Sequence, residues 1–279
     1  TGITLWLAPG MNIHRNPLNG RNFEYISEDP YLAGELSAAY INGVQSKNVG
    51  TSIKHFAANS QETRRMTCSS DMSERTLREI YFPAFETAVK KAQPWTVMCS
   101  YNLINGEYSS ENDNLLNKVL RDEWGFKGYV MSDWGAVNDR VKGLAAGLDL
   151  EMPKGRFMNV DNLIPAIKNG TVTEETINLK VQHILQTLIA YGMLDKEQKD
   201  SNIAQDNPFS RQAALELARE GVVLLKNEND FFPIQPSERK TVALIGPMVK
   251  ERNSVNGGWG GRGDRQRSVT LFDGVEKKY

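Results

Sequence analysis

Short apolar runs alternate with longer amphipathic segments along the first part of the chain, and this alternation restricts the fold more than any other feature. The amphipathic segments carry apolar residues at three- and four-residue spacing, which is typical of helices. The alternation therefore predicts a parallel sheet with crossover helices, and both a barrel and a doubly wound sheet are compatible with it. The apolar runs predict strands at Thr4–Ala8, Val49–His55, Thr96–Tyr101, Gly128–Ser132 and Gly147–Glu151.

The clearest predicted helix runs from Thr173 to Tyr191, with Thr173 as its N-cap and Gly192 after its end. His183 lies off its apolar stripe, so we expect this histidine to be exposed. The stripe that we expect to be buried comprises Ile177, Val181, Ile184, Leu185, Leu188 and Ile189. Further helices are predicted over Glu35–Gln45, from Ser73 to Ala88, and over Leu115–Trp124, Val137–Ala146 and Ser210–Glu220.

A polar stretch poor in aliphatic residues follows the Thr173 helix and predicts a domain boundary. We divide the chain into a first domain at 1–200, a linker at 201–212 and a second domain at 213–279. In the second domain the apolar run Thr241–Gly246 predicts a buried strand followed by a turn.

Composition excludes several classes of protein. The net charge of -1 gives no electrostatic reason to expect a nucleic-acid or anionic-membrane partner. No apolar run approaches the roughly 18 residues of a membrane span. The 2 cysteines cannot form a disulfide framework, and no Cys/His cluster suggests a metal site. The glycine-rich loop Gly257–Gly263 lacks the order of a nucleotide-binding loop, so we expect no cofactor.

Polar and aromatic residues follow each predicted strand, where parallel α/β folds place their active sites. Buried strands do not need such residues in order to fold. Their repetition predicts a pocket with hydrogen-bonding groups, a cation and aromatic walls, which suits a small polyhydroxylated ligand. The residues concerned are Asn12, His14, Arg15, Lys54, His55, Ser100, Tyr101, Asn102, Ser132, Asp133, Trp134, Asp149 and Glu151.

Each of these residues also has a purely structural interpretation. Asp133 could cap the helix that follows it, and Lys54 with His55 could form a surface turn. Tyr101 and Trp134 could belong to the core. Arg21 and Glu24 could form an ordinary exposed ion pair that contributes little to stability.

Six segments occur in an order that favours the functional interpretation: Ala8–Gly34, Lys54–Arg65, Gly128–Val137, Ala218–Ile234, Val242–Pro247 and Gly257–Asp264. Together they resemble the motifs of glycoside hydrolase family 3, the β-glucosidase family. The resemblance extends over essentially the whole chain.

The resemblance implies a (β/α)8 TIM-barrel-like domain followed by the start of an α/β sandwich domain. It also implies a retaining, exo-acting β-glycosidase with Asp133 as the nucleophile, which would form a covalent glycosyl-enzyme. Nearby Arg and Lys side chains would keep that carboxylate ionised. Substrate-binding roles are implied for Arg21, Lys54, His55, Tyr101, Trp134 and, among the pair Arg64 and Arg65, chiefly Arg65.

The resemblance further implies that the barrel starts before Thr1 and that the acid/base glutamate lies beyond Tyr279, so no residue of this chain is assigned that role. We expect a small oligosaccharide or an aryl or alkyl β-glycoside as substrate, most simply a β-glucoside. A β-xylosidase, an exo-β-glucanase and a catalytically impaired carbohydrate-binding relative remain alternatives. The sequence does not determine the linkage, the oligomeric state or the localisation, which could be periplasmic, secreted or cytoplasmic.

Overall fold

The computed structural model describes residues 3–195, 197, 199–200, 202–204, 207–235, 241–247, 249–251 and 268–278. They divide into two compact units, Thr1–Gln205 and Asp206–Tyr279. This division falls within the segment 201–212 that the sequence predicts as a linker. The assignment of the second unit to the family's sandwich domain stays a prediction.

A parallel sheet forms the centre of the first unit. The strands of the unit are β1 (Leu5–Trp6), β2 (Gly50–Phe56), β3 (Ser69–Ser70), β4 (Thr96–Cys99), β5 (Leu103–Ile104), β6 (Glu107–Tyr108) and β7 (Tyr129–Met131). The parallel sheet has the order β1-β2-β4-β7, and every pairing in it is parallel. A second, small sheet has the order β3-β5-β6.

The strand order distinguishes between the two sheet types that the sequence allows. Each strand of the parallel sheet lies beside the next one along the chain, and Leu150 continues the series through a parallel bridge to Met131. A doubly wound sheet reverses its strand order at one point. The series here grows in one direction without reversal, as it does in a barrel.

Helices connect the strands and flank the sheet. Leu77–Tyr81 and Asn114–Glu123 are π-helices. The α-helices are α1 (Pro30–Gln45), α2 (Glu74–Thr76), α3 (Pro83–Ala92), α4 (Arg140–Ala146), α5 (Val160–Lys168), α6 (Glu174–Ala190), α7 (Pro208–Glu220) and α8 (Leu271–Lys278). None of the helices in the described part of the chain combines the length and apolar character that crossing a bilayer requires.

The helix predicted from Ser73 begins as expected but does not continue regularly. The Ser73 hydroxyl accepts a hydrogen bond from the Thr76 amide at 3.2 Å, which confirms the N-cap. Further on, the Phe82 amide bonds to the Leu77 carbonyl at 2.8 Å, five residues back, and Pro83 has no amide hydrogen to donate. The proline therefore begins a new helix, α3, where the sequence predicts one continuous helix.

The main apolar core of the first unit contains the helices α1 and α3, the π-helix Asn114–Glu123 and one face of the sheet. Phe56 of β2 lies at its centre, with ring centroids 5.1–6.0 Å from Phe82, Phe85 and Trp124. Tilted arrangements at such distances are favourable for aromatic pairs. This packing holds β2, which carries Lys54 and His55, against its helices.

Three predictions about elements are wrong. The stripe on α6 is not the buried face, because Val181, Leu185 and Ile189 are exposed while the polar Lys180 and Thr187 are buried. Residues 241–246 form no strand. The strand predicted at Gly147–Glu151 is reduced to a single parallel bridge at Leu150. In addition, the sequence pattern misses the helix α5, which contains Pro165, a residue that disfavours helix interiors.

Candidate active site

The loop after β1, the strand β2 and the segment after β7 meet at one edge of the sheet. The Asn12 side chain donates to the His55 carbonyl at 2.9 Å and accepts from the His55 amide at 2.8 Å. His55 Nε2 lies 3.5 Å from Asp133 Oδ2. The sheet topology thus assembles His55 and Asp133, as the sequence predicts for residues at the carboxyl ends of parallel strands.

Two cations beside this pair share one carboxylate. Arg21 Nε hydrogen-bonds Glu24 Oε1, and Lys54 Nζ lies 3.1 Å from Glu24 Oε2. Only 10% of the Arg21 side chain and 20% of the Glu24 side chain are exposed. The interpretation of Arg21 and Glu24 as an ordinary exposed pair is therefore wrong.

Glu24 is a residue of this site to which the sequence pattern assigns no role. Burial alone would raise its pKa, but the hydrogen bond from Arg21 and the charge of Lys54 hold that pKa below its ordinary value. The ionised carboxylate fixes both cations in place. The three-residue spacing between Arg21 and Glu24 is visible in the sequence, but the burial of the pair is seen only in the folded structure.

Asp133 is buried, with 7% of the residue exposed. Its Oδ1 accepts a hydrogen bond from the Trp134 amide at 2.7 Å, while none of the residues that the structure describes lies in hydrogen-bonding geometry to Oδ2. Burial raises the pKa of this carboxyl, although the Trp134 amide, the charge of Arg21, the nearby Tyr101 hydroxyl and the charge of Arg65 act in the opposite direction. The charges of Arg21 and Arg65 thus favour the ionised carboxylate, as the resemblance implies for nearby cations, while burial sets the direction of the shift.

His55 is almost completely buried, with 1% exposure. Burial, together with the positive charges of Arg21 and Lys54, holds the pKa of the imidazole well below its usual range. The ring is therefore neutral and carries one hydrogen, and it can present a donor on one side only.

Tyr101 and Arg65 form a stacked pair near Asp133. The Arg65 guanidinium lies 4.4 Å from the centre of the Tyr101 ring, and its Nη1 is 2.8 Å from Glu62 Oε2. The Tyr101 hydroxyl donates to the Trp134 carbonyl at 3.0 Å. Trp134 is half-buried against an apolar cluster that includes Met98 and Met131. Of the pair Arg64 and Arg65, the former is exposed.

Other residues from the strand ends have structural partners. Asp149 accepts hydrogen bonds from Arg121 and the Val130 amide. Glu151 accepts from the amides of residues 157 and 158 at 2.8 and 2.7 Å. Ser100 donates to the Ala57 carbonyl at 2.8 Å. We therefore assign these three side chains to the framework of the fold.

No three His, Cys, Asp or Glu side chains come together as a metal site within the residues that the structure describes. The charges of Arg21 and Arg65 act on Asp133. These two cations and Lys54 are held by the carboxylates of Glu24 and Glu62. A buried carboxylate with a free oxygen beside fixed cations can attack an electrophilic carbon and orient a polar ligand.

A sequence model described as "Glycosyl hydrolase family 3 N terminal domain" matches residues 1–187. This match covers more than half of the chain. The chain belongs to glycosyl hydrolase family 3. Its first unit has the TIM-barrel-like α/β fold of that family.

Individual members of glycosyl hydrolase family 3 are closely similar to this chain. It is 53% identical to thermostable β-glucosidase B of Acetivibrio thermocellus over 89% of the chain and 32% of that protein. It is 46% identical to an exo-α-(1→6)-L-arabinopyranosidase of Bifidobacterium longum over 92% of the chain and 34% of that protein.

Among solved family 3 structures, β-glucosidase 3B of Thermotoga neapolitana in complex with glucose superposes with a TM-score of 0.86 at 43% identity. That match covers 98% of the chain and 38% of the solved chain. The chain thus spans about a third of the length of its curated relatives, 32% and 34% for the two named above.

Proposed function

We propose that this chain carries the nucleophile side of a retaining, exo-acting β-glycosidase, with β-D-glucosides as substrates. The observation that supports this most directly is Asp133 Oδ2, a buried carboxylate oxygen without a hydrogen-bond partner among the described residues. The other oxygen of Asp133 is held by the Trp134 amide, which orients the carboxylate.

In this proposal the Asp133 Oδ2 lone pair attacks the anomeric carbon and forms an ester bond. The bond from that carbon to the aglycone oxygen breaks, and the aglycone oxygen takes up a proton from a general acid. Water, deprotonated by the same group, then attacks the anomeric carbon and releases the sugar and Asp133. We assign no residue of this chain as the acid.

Arg21, Lys54 and His55 are proposed to bind the hydroxyl groups of the sugar, and Trp134 to contact its ring. Charge-assisted hydrogen bonds from cations that are already fixed cost little ordering free energy on binding. The shared carboxylate Glu24 supplies this fixation. Tyr101 and Arg65 form the neighbouring wall of the pocket.

The relatives of this chain bear on which sugar is its substrate. β-Glucosidases at 53% and 48% identity favour glucose. The arabinopyranosidase relative at 46% identity favours α-L-arabinopyranosides as a second candidate. Initial rates on the 4-nitrophenyl β-glucoside, β-xyloside and α-L-arabinopyranoside will rank them, and the fastest identifies the preferred sugar.

The nucleophile can be tested apart from the acid. A 2-deoxy-2-fluoro-β-glucoside of dinitrophenol has a leaving group that needs no proton, while the fluorine slows release of the ester. With the longest natural chain that contains these residues, we expect intact mass spectrometry to show one added fluoroglucosyl group. Peptide mapping should place that group on Asp133.

Asp133→Asn should abolish the adduct, because an amide is a poor nucleophile. Asp139→Asn is the matched control, since Asp139 caps α4 through the amides of Val141 and Lys142 and asparagine caps a helix equally well. An adduct that persists in Asp133→Asn would refute the assignment. Sugar binding by the wild type without any adduct would instead favour the carbohydrate-binding alternative.

A further inference from the structure

The hydroxyl group of Tyr25 lies behind His55, on the side of the ring away from Asp133. Its oxygen is 3.1 Å from His55 Nδ1, 3.1 Å from Asn59 Nδ2 and 3.3 Å from the Asn59 carbonyl oxygen. Tyr25 is 6% exposed and His55 1% exposed. Burial raises the pKa of the Tyr25 hydroxyl, so it keeps its hydrogen.

The hydroxyl has one hydrogen and three neighbours, which allows two arrangements. In both, Asn59 Nδ2 donates to the Tyr25 oxygen. In the first, Tyr25 donates to Nδ1 of His55, and the ring hydrogen is on Nε2. In the second, Nδ1 carries the ring hydrogen and donates to Tyr25, which then donates to the Asn59 carbonyl oxygen.

Asp133 decides between these arrangements. Its Oδ2 lies 3.5 Å from His55 Nε2 and has no hydrogen-bond partner within the described part of the chain. In the second arrangement a bare Nε2 lone pair would face a carboxylate oxygen, and two acceptors would repel each other inside the protein. In the first, an N–H points toward that oxygen. Because His55 is neutral, only one of its ring nitrogens carries a hydrogen, so one of the two arrangements must hold.

We propose that Tyr25 is a positioning residue that holds His55 as the Nε2–H tautomer, so that the ring directs its N–H to the side where Asp133 lies, 3.5 Å away, and donates it to the sugar bound there. The role of His55 toward the bound sugar rests on the proposed function. The tautomer of His55 does not, because it follows from the hydrogen-bond geometry. Tyr25 does not touch the reacting atoms, and it acts through His55.

The tautomer can be measured directly. In protein labelled with ¹⁵N-histidine, long-range ¹H–¹⁵N correlation spectra distinguish a ring nitrogen that carries a hydrogen from one that does not. We expect His55 in the wild-type protein to show a protonated Nε2 and a Nδ1 that accepts a hydrogen bond. A protonated Nδ1 would overturn the proposal.

Tyr25→Phe keeps the ring that packs edge-on against His55, with centroids 6.1 Å apart, and removes only the hydroxyl. We expect the Nδ1 resonance to move toward the value of an acceptor without a partner. The rate of adduct formation with the fluoroglucoside should fall about tenfold, the size expected when one hydrogen bond to a buried group is lost.

Tyr40→Phe is the matched control, because the Tyr40 hydroxyl accepts one hydrogen bond from Trp6 at 2.8 Å and its residue is 42% exposed. We expect Tyr40→Phe to change neither the His55 spectrum nor the rate of adduct formation. Equal adduct rates and equal His55 spectra in Tyr25→Phe and the wild type would overturn the inference.

Asn59→Asp provides a second variant that does not depend on Tyr25→Phe folding. A carboxylate at this position accepts the Tyr25 hydrogen, which leaves the hydroxyl oxygen as an acceptor for Nδ1. We expect His55 to shift toward the Nδ1–H tautomer, and an unchanged Nε2–H tautomer counts against control by Tyr25. If the wild type forms no adduct, the proposed function fails, while these spectra still decide the inference.

Discussion

At the scale of single residues, Asp133 shows how function and stability oppose each other. Burial raises the pKa of its carboxyl. A carboxyl whose pKa is raised by folding contributes to stability below the ordinary aspartate pKa, and this contribution is lost as the pH rises through the raised value. The ionised form that the proposed reaction needs therefore costs folding free energy at neutral pH.

The rate of adduct formation should fall as the pH drops through the pKa of Asp133, at a higher pH than an ordinary aspartate would give. The charge of Arg65 lowers this pKa. Arg65→Gln should therefore move the acidic limb of the rate profile to higher pH. Rates of fluoroglucosyl transfer measured across the acidic range will check this.

Arg75→Gln is the control for that experiment, because the Arg75 side chain is 82% exposed and pairs with Glu79 on its own helical segment. Its profile should coincide with the wild-type profile. If the acidic limb of the pH–rate profile moves to lower pH in Arg65→Gln, its assignment to the ionisation of Asp133 is contradicted.

At the scale of elements, two glycines let Trp95 fill the space beside the sheet. A Cβ on Gly128 would lie 2.0 Å from the Trp95 carbonyl oxygen, and one on Gly50 would lie 2.1 Å from the Trp95 ring. Both distances are far below van der Waals contact. Trp95 is 2% exposed and stacks on Tyr191 with centroids 3.7 Å apart. The start of β7 thus needs a residue without a side chain.

Gly128→Ala should destabilise the protein by about 1–3 kcal/mol, since the backbone of Trp95 must move to admit the methyl group.

Gly43→Ala, in contrast, should stabilise the protein. Gly43 lies in α1, where an added methyl group would have no other atom within 4 Å, and alanine there gains about 0.5–1 kcal/mol of helix propensity. Urea unfolding midpoints of the two variants will test both signs.

At the scale of the whole first unit, Asp149 joins three separate elements. Its side chain is 0% exposed and lies 2.6 Å from Arg121 of the second π-helix and 2.9 Å from His183 of α6. It also accepts from the Val130 amide of β7 at 2.7 Å. Burial lowers the pKa of Arg121, which shows how strongly this guanidinium is desolvated.

Asp149→Ala should cost about 3–5 kcal/mol, because it leaves the Arg121 charge buried without its partner. Glu123→Ala is the matched control. Glu123 bridges to Arg78 at 2.7 Å, but the two side chains are 44% and 39% exposed, so we expect a loss of about 0–1 kcal/mol. Equal losses of thermal stability in the two variants would contradict the central role of Asp149.

The Asp149 cluster also explains why the interpretation of α6 is wrong. The periodicity of its apolar residues is real, but the helix turns Lys180, His183 and Thr187 toward the sheet because a buried carboxylate lies there. His183, expected to be exposed, therefore has a buried partner. A helical pattern does not indicate which face meets which neighbour.

The amino-acid sequence was enough to establish the parallel α/β class, the family and the residue types at the strand ends, because local periodicity and motif order depend on neighbours along the chain. The folded arrangement was needed for the one-directional strand order, the burial of Arg21 with Glu24, and the position of Tyr25 behind His55. It also separated Asp133, which keeps a free oxygen, from Asp149, which has none. Those distinctions depend on contacts between distant segments, and register and packing create such contacts only when the chain folds.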